Sequence, residues 1–267
     1  MRSSLTKAFA LLKIYIADSL AYRASAVIWM LTDVVHCLVM PLVWLSAYNG
    51  REAIAGYPPG EMVTYYVMIA FTTSFIVSHI MWELSMEIKE GVLSQWLLRP
   101  VPMLWRLIAQ NLSWRAMRMA LFVPVAGLAL WYYSRFTTLS PLSLGWAFWL
   151  SVLLGHLVSF FTAYALAALA FWLQETQSVF SLYYAPMLLL SGWVAPLALM
   201  PSGLQGAALV LPFRYTTAVP VEIAIGKLQG EAMWEAIGLQ LLWVLAGLAA
   251  AQVLWRKGLR QYTGVGM

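Results

Sequence analysis

Long apolar runs recur along this chain, and they constrain its fold more than any short motif does. The ranges 24–48, 61–82, 117–133, 142–173, 178–200 and 232–255 are apolar stretches broken by few polar residues. A bilayer core about 30 Å thick takes about 20 helical residues to cross. Lipid offers the backbone no hydrogen-bond partners, so only helices and closed barrels span it. Barrel strands alternate apolar and polar positions over about ten residues, and these runs do not alternate. The pattern predicts an all-α integral membrane protein, a single transmembrane domain over 1–267 with six transmembrane helices. Composition agrees: 62% of the 267 residues are hydrophobic and 10% are charged, against about 25% charged in soluble domains. Too few polar groups are present to cover a surface in water.

The segments between the spans carry the charge. In 1–23, Arg2, Lys7, Lys13, Asp18 and Arg23 alternate with Leu5, Phe9, Leu12, Ile16 and Leu20 at helical spacing, which predicts an interfacial amphipathic helix. Lys13 and Asp18 interrupt the apolar region, which argues against a cleavable signal peptide. Range 82–102, WELSMEIKEGVLSQWLLRPVP, is the most charged interruption. Its apolar Leu84, Ile88, Val92 and Trp96 recur every four residues with Glu83, Glu87, Lys89 and Glu90 between them. Pro100 and Pro102 forbid continuation of a helix. A second amphipathic piece, with Arg106, Arg115 and Arg118, precedes the third span. Range 201–228 is moderately apolar but contains Pro201, Pro212 and Pro220, and reads as broken re-entrant or interfacial outer helices.

Six spans place both termini on one side. Twelve Lys and Arg residues then share that side, and four (Arg51, Arg135, Arg214 and Lys227) face the other. This positive-inside bias makes the termini and 82–102 cytoplasmic. The positive charges flank apolar runs as topology requires, so the net charge of +5 gives no reason to expect nucleic acid.

Catalytic motifs are absent. Val221 and Leu228 stand where a phosphate loop ending at Gly226-Lys227 would need Gly and Ser or Thr. The three histidines, His36, His79 and His156, are each alone in an apolar run, and the single Cys37 excludes an internal disulfide. No cofactor or metal is expected in this chain. Asp33 is the one acidic residue deep in a span, one helical turn from His36. The pair reads either as polar positions on a translocation path or as hydrogen-bonding residues in helix packing. Small residues at Ala163, Ala167, Ala170, Gly247 and Ala251 predict close helix contact, within the chain or with a homologous partner.

Three stretches together resemble one family. The first is Ile88-Lys89-Glu90-Gly91-Val92-Leu93-Ser94 leading into Leu97-Leu98-Arg99-Pro100-Val101. The second is Leu211-Pro212-Phe213-Arg214-Tyr215. The third is Gly258-Leu259-Arg260-Gln261-Tyr262 followed by Gly264-Val265-Gly266. The combination is similar to permease subunits of bacterial type-2 ABC exporters, the short branch without a fused ATPase. That resemblance implies that 1–23 is a connecting elbow helix and 83–102 a cytoplasmic coupling segment entering a groove on a separate ATPase. Glu83, Glu87 and Glu90 would orient it, Gly91 would turn the chain, and Arg99 would hold the far end. Pro212, Phe213, Arg214 and Tyr215 would belong to an outer gate. The resemblance further implies two ATPase subunits that bind the ATP and Mg, and a second permease, a homologous but different chain or another copy of this one. The location would be the bacterial plasma (inner) membrane. The cargo would be an amphiphilic or cationic small molecule, peptide or lipid-like compound. Two other classes fit the composition: an ion-coupled secondary transporter or channel working without an ATPase, and an intramembrane enzyme.

Overall fold

Backbone groups in lipid must be satisfied within their own segment, and helices do this throughout. A computed structural model describes residues 2–21 and 23–263; the side chains at 2–5, 8, 23, 30, 32 and 33 lie outside that description. The helices are α1 (Arg2–Ala21), α2 (Arg23–Tyr48), α3 (Pro59–Ile76), α4 (Ile80–Lys89), α5 (Leu93–Leu97), α6 (Met103–Tyr133), α7 (Trp146–Ala168), α8 (Gln177–Leu190), α9 (Ser202–Val210), α10 (Ala218–Ala224) and α11 (Gly230–Gln261). A 3-10 turn, Leu169–Phe171, prolongs α7. Five segments among the described residues are long and apolar enough to cross a bilayer: Ala24–Tyr48, Pro59–Lys89, Met103–Tyr133, Trp146–Phe171 and Gly230–Gln261.

Polar contacts gather the loops at two ends. At one end Lys89 Nζ donates to Thr176 Oγ1 (3.0 Å), Ser94 Oγ meets Tyr262 Oη (3.1 Å), and Lys7 Nζ donates to the Pro100 carbonyl (3.2 Å). At the other, Lys227 Nζ reaches Glu61 Oε1 (2.9 Å) and the Gly56 carbonyl (2.7 Å), and Ser143 N donates to Ala224 O (2.7 Å). Helices α7 and α11 form the most extensive helix pair. Ala163, Ala167 and Ala251 are buried, and a Cβ on Gly247 would sit 3.2 Å from Phe161 Cβ. The small residues thus serve packing within the chain.

Three boundaries differ from the sequence reading. The second span does not run unbroken over 61–82: α3 ends at Ile76 and α4 starts at Ile80. Arg115, 6% exposed, causes the break. Its guanidinium donates to the carbonyls of Ser74 (3.3 Å), Phe75, Ile76 (3.0 Å) and Val77 (2.5 Å), and its Nε donates to Asn111 Oδ1 (2.7 Å). Asn111 Nδ2 donates to Ser78 Oγ (2.7 Å), Ser78 N to Ser159 Oγ (2.9 Å), and His156 Nδ1 lies 3.1 Å from the Ile76 carbonyl. The last carbonyls of a helix have no partners within it; here a side chain from α6 supplies them.

For the same reason the third span is not 117–133 preceded by a separate amphipathic piece. Arg115 is satisfied inside the protein, so nothing forces a surface there, and α6 continues for 31 residues, about 46 Å. Regular α-helix in 178–200 is confined to α8, whose 14 residues span about 21 Å, and a single 3-10 turn follows at Leu197–Leu199. Gly192 with φ +78° and then Pro196 stop regular helix. Tyr65 Oη donates to the freed Gly192 carbonyl (2.6 Å) and Tyr66 Oη to that of Val194 (2.8 Å). Range 201–228 holds α9 and α10, two short helices.

Arg115→Gln is expected to lower stability by about 3 kcal/mol, because buried carbonyls lose their donors at about 1–3 kcal/mol per group. Arg115→Lys should recover only part, since an ammonium cannot reach four carbonyls at once. Thermal unfolding of the purified protein in detergent measures both.

Candidate coupling and translocation site

The charged stretch folds as a hook at one end of the molecule. Helix α4 stops at Lys89, where Glu90 N donates back to Met86 O (2.8 Å) and Gly91 adopts φ +76°. A residue with a Cβ is strained in that left-handed conformation. The expected single helix with an 84–88–92–96 stripe is therefore broken at Gly91, and α5 begins at Leu93. Leu84, Ile88 and Leu93 are buried, while Val92 and Trp96 are half-buried.

Sequence reasoning turned the three carboxylates outward together; the fold separates them. Glu87 faces inward. Both its oxygens accept from Arg106, Nη1 to Oε2 at 2.6 Å, and Arg106 Nε donates to Tyr15 Oη (2.8 Å). The Trp96 ring lies between two guanidinium groups, with Arg106 and Arg99 each 4.1 Å from its centroid. Glu83 accepts from Gln110 and borders cavities described below. Glu90 is exposed at the tip. Beside it Leu97 and Leu98 project outward, Leu98 at 87% exposure. Arg99 is exposed and stacked on Trp96.

The other end contains the Pro-Phe-Arg-Tyr stretch. Arg214 Nη2 pairs with Glu222 Oε2 at 2.8 Å. Burial pushes the Glu222 carboxyl above the usual carboxylate range, and the adjacent Arg214 partly offsets this. Pro212 caps the turn with its carbonyl, which accepts from Tyr215 N (3.1 Å). Phe213 packs on Tyr183, and Tyr215 Oη donates to Leu209 O (2.7 Å). Gln240 of α11, fully buried, ties the Tyr215 carbonyl (2.9 Å) to that of Ser151 in α7 (3.1 Å).

The sequence pattern of the family described as ABC-2 family transporter protein matches residues 34–266. The chain belongs to the ABC-2 transporter family. It is a type-2 ABC permease subunit and a multi-pass membrane protein, and membership implies an ABC ATPase as its partner. No curated protein and no solved structure matches the chain.

Three adjoining cavities lie between the two ends. The first, of 440 Å³, is lined by Asp18, Trp29, His79, Glu83, Gln110 and Trp114 among others. The second, of 500 Å³, shares Trp29, His79, Glu83 and Trp114 and adds Trp82, Arg118, Gln177 and Tyr184. The third, of 140 Å³, continues from Trp29, His79 and Arg118 to Ser191, Trp193, Thr216 and Thr217, beside the Pro-Phe-Arg-Tyr stretch. His36 is buried behind this path, stacked on Trp193 at 4.2 Å. Its Nε2 has no hydrogen-bond partner among the described residues. Asp33 lies in α2, but its side chain is outside the described residues.

Sequence reasoning missed Arg106, Arg115, Trp96, Leu98 and Gln240. Arg106 and Arg115 looked like surface charges of an amphipathic piece. Gln240 did carry a signal, as a lone amide inside an apolar run. The Glu87–Arg106 pair is little exposed, with side chains at 18% and 4%, so the two residues should act as a unit. Glu87→Ala and Arg106→Ala are expected to be individually destabilising and non-additive, with an interaction energy of about 1–3 kcal/mol. A double-mutant cycle on thermal or denaturant unfolding reads it.

Proposed function

We propose that this permease drives export: closure of separate ATPase subunits pushes on the α4–α5 hook, and the hook moves α6 and α4 to alternate access to the cavities. The carrying observation is the tip itself. Leu97, Leu98 and Glu90 are exposed on a segment braced from behind by Trp96, Arg106 and Glu87. Exposed leucines on a rigid, polar-rimmed projection suit the groove of a protein partner. The coupling role thus divides: Glu90, Leu97, Leu98 and Arg99 meet the ATPase, Gly91 sets the turn, and Glu87 transmits the displacement through Arg106.

On this reading two ATPase subunits bind the ATP and Mg and carry out hydrolysis, and this chain catalyses no reaction. A second permease, a related chain or a second copy, completes the pathway. Six crossings are supported by the course of the chain between its tied ends. Thr176 is held beside Lys89, and 222–227 is tied to Glu61 and Gly56, so α8 and the broken stretch after it carry the chain across. Both termini are then cytoplasmic in a bacterial plasma (inner) membrane. With Arg106, Arg115 and Arg118 counted as interior, nine basic residues against four still favour that side. Residues 212–215, with α9 and α10, form the outer gate, and the cargo is amphiphilic.

Purification from native membranes is expected to bring down a nucleotide-binding subunit, identified by mass spectrometry, and the complex should hydrolyse ATP. Leu98→Glu should cut that association at least tenfold while membrane insertion is unchanged. Transport by the reconstituted chain alone, driven by an ion gradient without ATP, would identify a secondary transporter and overturn the proposal.

A further inference from the structure

The hook is tied at a second point, which the link through Glu87 and Arg106 does not use. Ser94 of α5 meets the Tyr262 hydroxyl at 3.1 Å, just past the last turn of α11. The Tyr262 ring stands edge-on to Phe171 of the 3-10 turn, with centroids 5.8 Å apart. Trp255 packs on the same ring at 5.4 Å, and a Cβ on Gly258 would overlap it. This end of α11 is therefore fixed against the end of α7 and, through one pair of hydroxyls, to α5.

The same helix reaches the Pro-Phe-Arg-Tyr stretch. Gln240 lies about 33 Å along α11 from Tyr262 at the rise of an α-helix. A leucine would fill a similar volume there without the cost of burying an amide. The amide instead donates both ways, to the Tyr215 carbonyl (2.9 Å) and to the Ser151 carbonyl of α7 (3.1 Å). Tyr215 follows Arg214, whose guanidinium pairs with Glu222 of α10.

The helix between these two points is stiff. α11 contains no proline. α6 carries Pro124, which removes a helix hydrogen bond, and the stretch 59–89 breaks between Ile76 and Ile80. Gly247 brings α11 against Phe161 of α7. Closely packed elements shift as units and do not deform continuously, so α7 and α11 move as one body.

We propose that α11 carries the stroke of the hook to the outer gate. Tyr262 receives the displacement of α5 through Ser94, and Gln240 passes it to the Tyr215 carbonyl, beside the Arg214–Glu222 pair. Both are positioning residues. This rests on the permease reading and deepens it: α6 and α4 act on the cavities, while α11 times the gate.

Hydrogen exchange in the complex purified from native membranes with its ATPase subunits, in lipid nanodiscs, separates these roles. It is measured with and without ATP and vanadate, which trap the nucleotide. Peptides over 103–110 report the brace behind the hook, and those over 212–217 report the gate. Trapping is expected to change exchange in both at least fivefold. Tyr262→Phe keeps the ring on Phe171 but loses the hydroxyl. It should abolish the change at 212–217 and leave the change at 103–110. Gln240→Leu keeps the volume but removes both donors, and should do the same. A merely structural role would raise exchange at 212–217 equally in both states and preserve the nucleotide-dependent difference. That result in both variants, or no nucleotide-dependent change at 212–217 in the unaltered complex, would overturn the α11 link, while a response at 103–110 upholds the permease reading. No response at either place rejects the permease reading and the link with it.

Discussion

A guanidinium buried against the end of a broken helix holds this structure together. Arg115 satisfies four consecutive carbonyls of α3 and its close, Ser74 to Val77, and reaches Asn111, which in turn holds Ser78. Without it the chain could not leave helical geometry at 77–79 in an apolar setting, because the freed carbonyls would have no partners. Beyond that break α4 faces Arg106, Gln110 and the cavities. Ser159 and His156 of α7 join the same knot, so three of the long helices meet at one polar point.

From that point α6 extends both ways. Toward the hook it presents Asn111, Gln110 and Arg106 in succession to Ser78, Glu83 and Glu87. Toward the opposite end it finishes at Tyr133, whose hydroxyl donates to the Leu38 carbonyl of α2. One uninterrupted helix therefore contacts the brace behind the tip, the polar knot and the middle of α2. On the other flank, α7 and α11 pack through small residues, and Gln240 joins them to the Tyr215 carbonyl. The carbonyl of Thr216 lies so close to Gly155 that a Cβ there would overlap it, which brings the Pro-Phe-Arg-Tyr stretch directly onto α7.

The helical class and most segment positions were legible because apolar runs leave a chain few choices. At Gly91 the four-residue stripe read as one continuous helix, and only the family resemblance implied a turn there; glycine is the residue that takes φ +76° without strain. The break in α3 was not legible. Phe75-Ile76-Val77-Ser78-His79 contains neither Gly nor Pro, and its cause lies some forty residues later in the chain. Arg106 and Arg115 were read as surface charges because sequence shows a charge but not its partner. The same limit grouped Glu83, Glu87 and Glu90, which share a stretch and end up facing a cavity, an arginine and solvent. For α8, Pro186, Gly192 and Pro196 were all visible, but their combined effect depends on Tyr65 and Tyr66 accepting the role of donors to the unravelled backbone.

Arg115 also bears on how the protein is made. An arginine at the centre of an inserting helix costs about 2.5–3.5 kcal/mol on translocon scales. Its acceptors belong to α3, which leaves the ribosome before α6. Vectorial synthesis thus delivers the carbonyls first and the guanidinium second, and α6 need not enter lipid as an isolated charged segment. In the reverse order, α6 would wait in lipid with an unpaired guanidinium. Chain order and helix order are matched, and insertion of the pair is in effect a single cooperative step.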